Sequence, residues 1–212
     1  MNMKNVLLIG DSIRVGYDKS VKASLEGIAN VYFPAENCRF AAFVFRHFTD
    51  YMTKIEDRKI DVIHWNAGLW DLLRQFGEEP NTPFDIYKYY IERICKRMRK
   101  FYPYAKIIFA TSTSVQSEKM DPNVFIRYND EIKMYNEAAA EIVKKYGMEV
   151  NDLYALSFAL PDEAHSDNVH YYTKLGTEAF TKQTLEYISK ALELDEVPEY
   201  KEVMYVGEPV GF

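Results

Sequence analysis

The chain has few of the residues that mark special classes of protein. It contains two cysteines, Cys38 and Cys95, in 212 residues. That is too few for a secreted disulfide framework, and their separation is not that of a metal site. Its four histidines suggest no metal either. His165 lies near Asp167 and His170, but zinc needs a further protein ligand and none stands close by in sequence. There is no internal repeat and no low-complexity linker. No apolar run approaches the length that crosses a bilayer, and the apolar run near the N-terminus is too short for a secretory signal. The expected location is therefore cytoplasmic. Basic residues are in deficit, 26 Lys and Arg against 32 Asp and Glu, for a net charge of −6. This argues against nucleic acid as a partner. The basic residues between Arg93 and Lys100 alternate with apolar ones, as on the solvated face of a helix.

What remains is 48% hydrophobic and 15% aromatic, enough for one large core. Apolar runs alternate with segments of helical period, the βαβ signature. Strands are expected at 5–9, 30–33, 60–65, 106–110 and 148–151. Helices are expected at about 16–26, 41–55, 83–98, 122–146 and 174–192. Thr82-Pro83-Phe84-Asp85 reads as a helix opening with Thr82 as cap, and Thr173 can cap the last helix. From 152 to His170 the chain reads as loop. The expected domain spans 1–195, followed by an irregular tail at 196–212.

The run Val6 to Ile9 stops at Gly10, and Asp11-Ser12 follow at once. Four bulky apolar residues between polar flanks suit a strand buried on both faces. Ser12 then stands at a strand-to-helix junction on the carboxyl edge of a sheet, where open α/β sheets place their sites. Taken alone, Ser12 is as readily a helix cap. The same edge carries Asn66, Gly68 and Asp71 after the third strand, with Asp71 near an expected helix start, and Asp167 and His170 after the fifth. A serine is a poor nucleophile until a base takes its proton, and that base needs a third group to orient it. Asp-x-x-His supplies both from one loop. Asp11 and Asp71 read as structural, His64 as a half-buried hydrogen-bonded histidine and His47 as a surface residue.

Gly10-Asp11-Ser12 near the N-terminus with Asp167-x-x-His170 near the C-terminus resembles the SGNH (GDSL) hydrolases. The resemblance implies a three-layer α/β/α, flavodoxin-like fold with a parallel five-stranded sheet. It also implies a serine esterase with Ser12 as nucleophile, His170 as base and Asp167 as its orienting acid. The Gly-x-Ser-x-Gly elbow of the α/β-hydrolases is absent. Two blocks depart from the SGNH pattern. Where the family has Gly-x-Asn-Asp this chain has Gly68-Leu69-Trp70-Asp71, so Trp70 replaces the asparagine that donates to the oxyanion. The second block, Glu36-Asn37-Cys38-Arg39, lacks its glycine. Candidate oxyanion donors are the amides of Ser12 and Gly68, the Asn66 side chain, and Asn37 or the Cys38 amide. Losing one such donor costs on the order of 10²–10³ in rate. Trp70 is either core or a cleft wall for substrate, and Arg14 either a substrate contact or a helix-surface residue. The resemblance implies a small-molecule ester as partner, an acetyl group on a carbohydrate being the family-typical case, with no cofactor. The rival readings are a non-catalytic small-molecule binder on the same scaffold and a flavodoxin-like nucleotide binder.

Overall fold

The computed structural model describes residues 3–53, 55 and 59–205. Strand β1 (Lys4–Ile9) is buried from Asn5 onward, as a strand covered on both faces must be. It leads through Gly10 into α1 (Ser12–Ser24). Then follow β2 (Ala29–Tyr32), α2 (Ala41–Thr53) and β3 (Val62–Trp65). A two-residue strand β4 (Arg74–Gln75) precedes α3 (Phe84–Phe101) and β5 (Lys106–Ala110). Next come β6 (Phe125–Ile126), α4 (Asn129–Lys145), β7 (Glu149–Asn151), α5 (Leu153–Ala159) and α6 (Lys174–Leu192).

Five of these strands form one parallel sheet in the order β2-β1-β3-β5-β7. Helices α1, α5 and α6 pack together, and so do α2, α3 and α4. The two groups are the outer layers of the expected three-layer α/β/α fold, with the sheet between them. Trp65, at 0% exposure, meets Phe109 edge-on at 4.9 Å in the core. With all five strands parallel, the loops that follow β1, β3, β5 and β7 leave from one edge, and that edge carries the site. No helix of the described residues is long and apolar enough to cross a membrane.

Several local expectations are corrected. Asp11, not Ser12, caps α1: its carboxylate accepts the Ile13 amide at 3.0 Å, and Ser12 is the first helical residue. No helix starts at Asp71. Its carboxylate accepts the Ala41 amide and so serves the first residue of α2 from another loop. Thr82 does not cap α3; the cap position is Pro83 and makes no side-chain bond. The segment expected to open α4 at 122 is a turn plus β6, which pairs antiparallel with β4. The 152–170 stretch holds α5, capped by Asp152 through the Ala155 amide. His64 is wholly buried, with Nε2 3.1 Å from the Asn151 carboxamide, and burial pushes its ring down to about 3. Of the expected helix at 41–55, residue 54 lies outside the described residues.

From 195 to 205 the chain has neither helix nor strand, and 206–212 lie outside the described residues. The segment runs along α1. The Val203 amide donates to Ser20 Oγ at 2.9 Å, and the Lys201 amide to Ser24 Oγ at 2.9 Å.

Candidate active site

The site is built outward from the β1–α1 junction. Gly10 is required there by close approach: a Cβ at this position would lie 1.8 Å from Asn66 Oδ1 and 2.7 Å from Arg14 Cβ. The tight turn sets Ser12 at the first position of α1. The N–H groups of a helix's first turn lack partners within the helix and favour negative charge.

His170 reaches Ser12 from the other end of the chain. Its Nε2 lies 2.8 Å from Ser12 Oγ, and its Nδ1 lies 2.8 Å from Asp167 Oδ2. The other oxygen, Asp167 Oδ1, accepts the amides of Val169 and His170, both at 2.8 Å. Burial alone would raise the Asp167 carboxyl. The His170 ring and those two amides outweigh it and hold the group far below the usual carboxylate range. An ionised Asp167 fixes the proton on Nδ1, which leaves the Nε2 lone pair for the serine. The loop is braced from outside. Asn168 accepts the Gln116 amide at 2.9 Å and donates its own carboxamide to the Lys119 carbonyl at 3.0 Å. Tyr172 lies under the imidazole, ring centroids 4.8 Å apart, and donates its hydroxyl to the Ser12 carbonyl at 2.7 Å.

Ser12 Oγ and His170 open into a cavity of about 340 Å³. Trp70, Leu73, Phe125 and Val169 supply its apolar wall, with Asn37 and Arg127 among its polar groups. Trp70 thus stands at the cleft, while Trp65 belongs to the core.

The expected oxyanion donors separate. The Cys38 amide is already used, donating to the Gly10 carbonyl at 3.0 Å, so it is not available to a substrate. Asn37 lines the cavity. Its Oδ1 accepts the Arg39 amide, whereas its Nδ2 is buried and has no protein partner. The Asn66 side chain lies against Gly10 and Asp11 and is not among the residues that line the cavity. Gly68 has φ +155°, and a Cβ there would meet Ser112 Oγ at 2.2 Å. It shapes the loop under Trp70 but does not line the cavity.

Arg14 is not a substrate contact. It is 1% exposed, pairs with Asp18, and donates to the carbonyls of Pro34 at 3.0 Å and Glu36 at 2.6 Å. It clamps the second-block loop to α1. The cation at the site is a residue that sequence reasoning missed, Arg127, which follows β6. It is 6% exposed, its Nε donates to the Leu69 carbonyl at 2.6 Å, and it lines the cavity with Ser12. Burial pulls its guanidinium down to about 10, with Asp11 and Asp167 acting in the opposite direction, so it is charged at neutral pH.

The fold has many solved counterparts. A lipase/acylhydrolase from Enterococcus faecalis superposes with a TM-score of 0.71 at 17% identity, over 95% of this chain and 100% of that one. An acetyl xylan esterase gives 0.67 at 14%, over 87% and 99%. A variant of an acetyl xylan esterase from Geobacillus stearothermophilus gives 0.66 at 15%, over 87% and 94%. No protein-family profile matches the sequence, and no curated protein matches it either. The chain therefore has the SGNH-hydrolase fold, the fold on which GDSL lipases and acetyl xylan esterases are built.

Proposed function

We propose that this protein is a serine ester hydrolase of the SGNH type, with Ser12 as nucleophile, His170 as general base and then acid, and Asp167 as the group that orients His170. The observation that carries the reading is the continuous line Asp167–His170–Ser12, two hydrogen bonds of 2.8 Å each, opening into a cavity. Ser12 Oγ attacks the ester carbonyl carbon as its proton passes to His170 Nε2. The carbonyl π pair moves onto oxygen to give a tetrahedral oxyanion. Collapse expels the alcohol, which takes the proton from His170 and leaves an acyl-serine. Water, deprotonated by the same imidazole, repeats the addition and releases the acid.

The esterases that share the fold support ester hydrolysis as the reaction class. A short acyl group, such as acetyl carried on a carbohydrate, fits a cleft of about 340 Å³ walled by Trp70 and Phe125, since aromatic faces suit sugar rings. Substrate recognition needs no cofactor in this scheme. The test is a fluorophosphonate probe with the modified peptide mapped by mass. The adduct is expected on Ser12, and Ser12→Ala is expected to lose both labelling and p-nitrophenyl acetate turnover while melting at the parent temperature. Undiminished turnover by that variant rejects the assignment.

A further inference from the structure

Resting on that hydrolase reading, we propose that the Arg127 guanidinium is the charged donor to the tetrahedral oxyanion, taking over the work for which this chain has no asparagine at Trp70. Attack on an ester places a full negative charge on one oxygen, and catalysis depends on donors held ready for it. Around Ser12 the first-turn amide of Ser12 itself stands at the helix start, but the other expected donors are scarce. The Cys38 amide is spent on Gly10, Asn66 lies against Gly10 and Asp11, and neither Asn66 nor Gly68 lines the cavity. Trp70 offers an aromatic wall where a carboxamide would stand.

Arg127 fills the gap from an unrelated element. Its Nε is tied to the carbonyl of Leu69, the residue next to Trp70, so the guanidinium is fixed to the same loop. The group is 6% exposed, lines the cavity that Ser12 opens into, and forms no direct ion pair with any carboxylate of the described residues. A buried cation without a paired anion is costly, and a developing oxyanion supplies that anion. Asp11 and Asp167 lie near enough to act on its charge. They temper the resting site, which therefore does not call for a permanently anionic substrate. Asn37 lines the same cavity, its Nδ2 has no protein partner, and it is the neutral companion donor in this proposal.

The test uses Arg127→Gln and Arg127→Lys in the full chain, with p-nitrophenyl acetate as a neutral ester and p-nitrophenyl hemisuccinate as an anionic one. For Arg127→Gln, kcat on the neutral ester is expected to fall about 10²–10³-fold, the range for one lost oxyanion donor, with KM nearly unchanged. Arg127→Lys should retain part of the rate. Affinity for a trifluoromethyl ketone, whose adduct with serine carries the oxyanion, should fall in parallel with kcat. Unchanged kcat on the neutral ester overturns the proposal, as does a loss confined to KM on the hemisuccinate, which makes Arg127 a substrate-anion site. If the variants do not fold, the structure of the parent with the trifluoromethyl ketone decides: the hemiketal oxygen is expected within hydrogen-bond distance of the guanidinium, and an oxygen directed elsewhere overturns the assignment. A folded parent that neither turns over ester nor takes up the ketone removes the hydrolase reading itself, a result distinct from either.

Discussion

At the scale of single residues, Asp167 and Arg127 do opposite electrostatic work around one imidazole and one hydroxyl. Asp167 stays ionised because His170 and two backbone amides face its oxygens. Removing its charge while keeping its shape should leave the fold but present the wrong tautomer. We expect Asp167→Asn to lower kcat by roughly 10⁴-fold, measured under saturating ester, with an unchanged melting temperature. A loss below tenfold would show that His170 does not depend on that carboxylate. The two arginines explain what could and could not be read in advance. Arg14 is two positions after Ser12, and two helical steps turn a side chain through about 200°, so it faces away from the cleft. The four-residue step to Asp18 was the legible sign of its real partner. Arg127 was hidden inside a segment read as the front of a long helix. The turn residues Asp121-Pro122-Asn123 and the polar pair Asn129-Asp130 were the signals that the helix begins later.

At the scale of elements, the β1–α1 junction was legible because a strand buried on both faces needs an unbroken apolar run, and that run ends at a glycine. Gly10→Ala should cost about 1–3 kcal/mol, the range for overpacking, because the added methyl meets Asn66 and Arg14. Urea unfolding measures it, and a neutral result would show that the junction can open. Short or remotely served elements were not legible. Helix α5 has seven residues, too few to show a period, and the β4–β6 ribbon has two residues in each strand. The capping of α2 by Asp71 joins positions thirty apart in sequence, which no local pattern records. Burial pushes the Asp71 carboxyl up to about 7, against the pull of the Ala41 amide and Thr82. The folded protein therefore holds that proton to higher pH than the unfolded chain does, so its stability contribution is present at low pH and is lost as pH rises from about 4 through 7. The stability of the parent relative to Asp71→Asn should fall across that window in urea titrations. A relative gain over the same window would mean that the ionised form is the better cap.

At the scale of the whole molecule, sheet order does what no single loop can. With β1 in the second place and β3 in the centre, the loops bearing Ser12 and Trp70 emerge side by side. The sequence pattern gave grounds for expecting five parallel strands, but not their order, nor the course of the last residues. That terminal segment is bonded to Ser20 and Ser24, and Tyr205 packs 4.7 Å from the Tyr172 ring that underlies His170. Deleting residues 200–212 should lower stability by about 1–3 kcal/mol, the worth of a few net hydrogen bonds and their packing. It should also reduce kcat several-fold through Tyr172. Calorimetry and steady-state rates together check this, and an unchanged kcat would uncouple the segment from the imidazole.

The serine and the histidine stand 158 positions apart in the chain. A ribosome therefore delivers Ser12 long before His170. On the proposed hydrolase reading, a nascent fragment that ends before His170 is expected to be hydrolytically silent, because the Ser12 hydroxyl has no imidazole beside it.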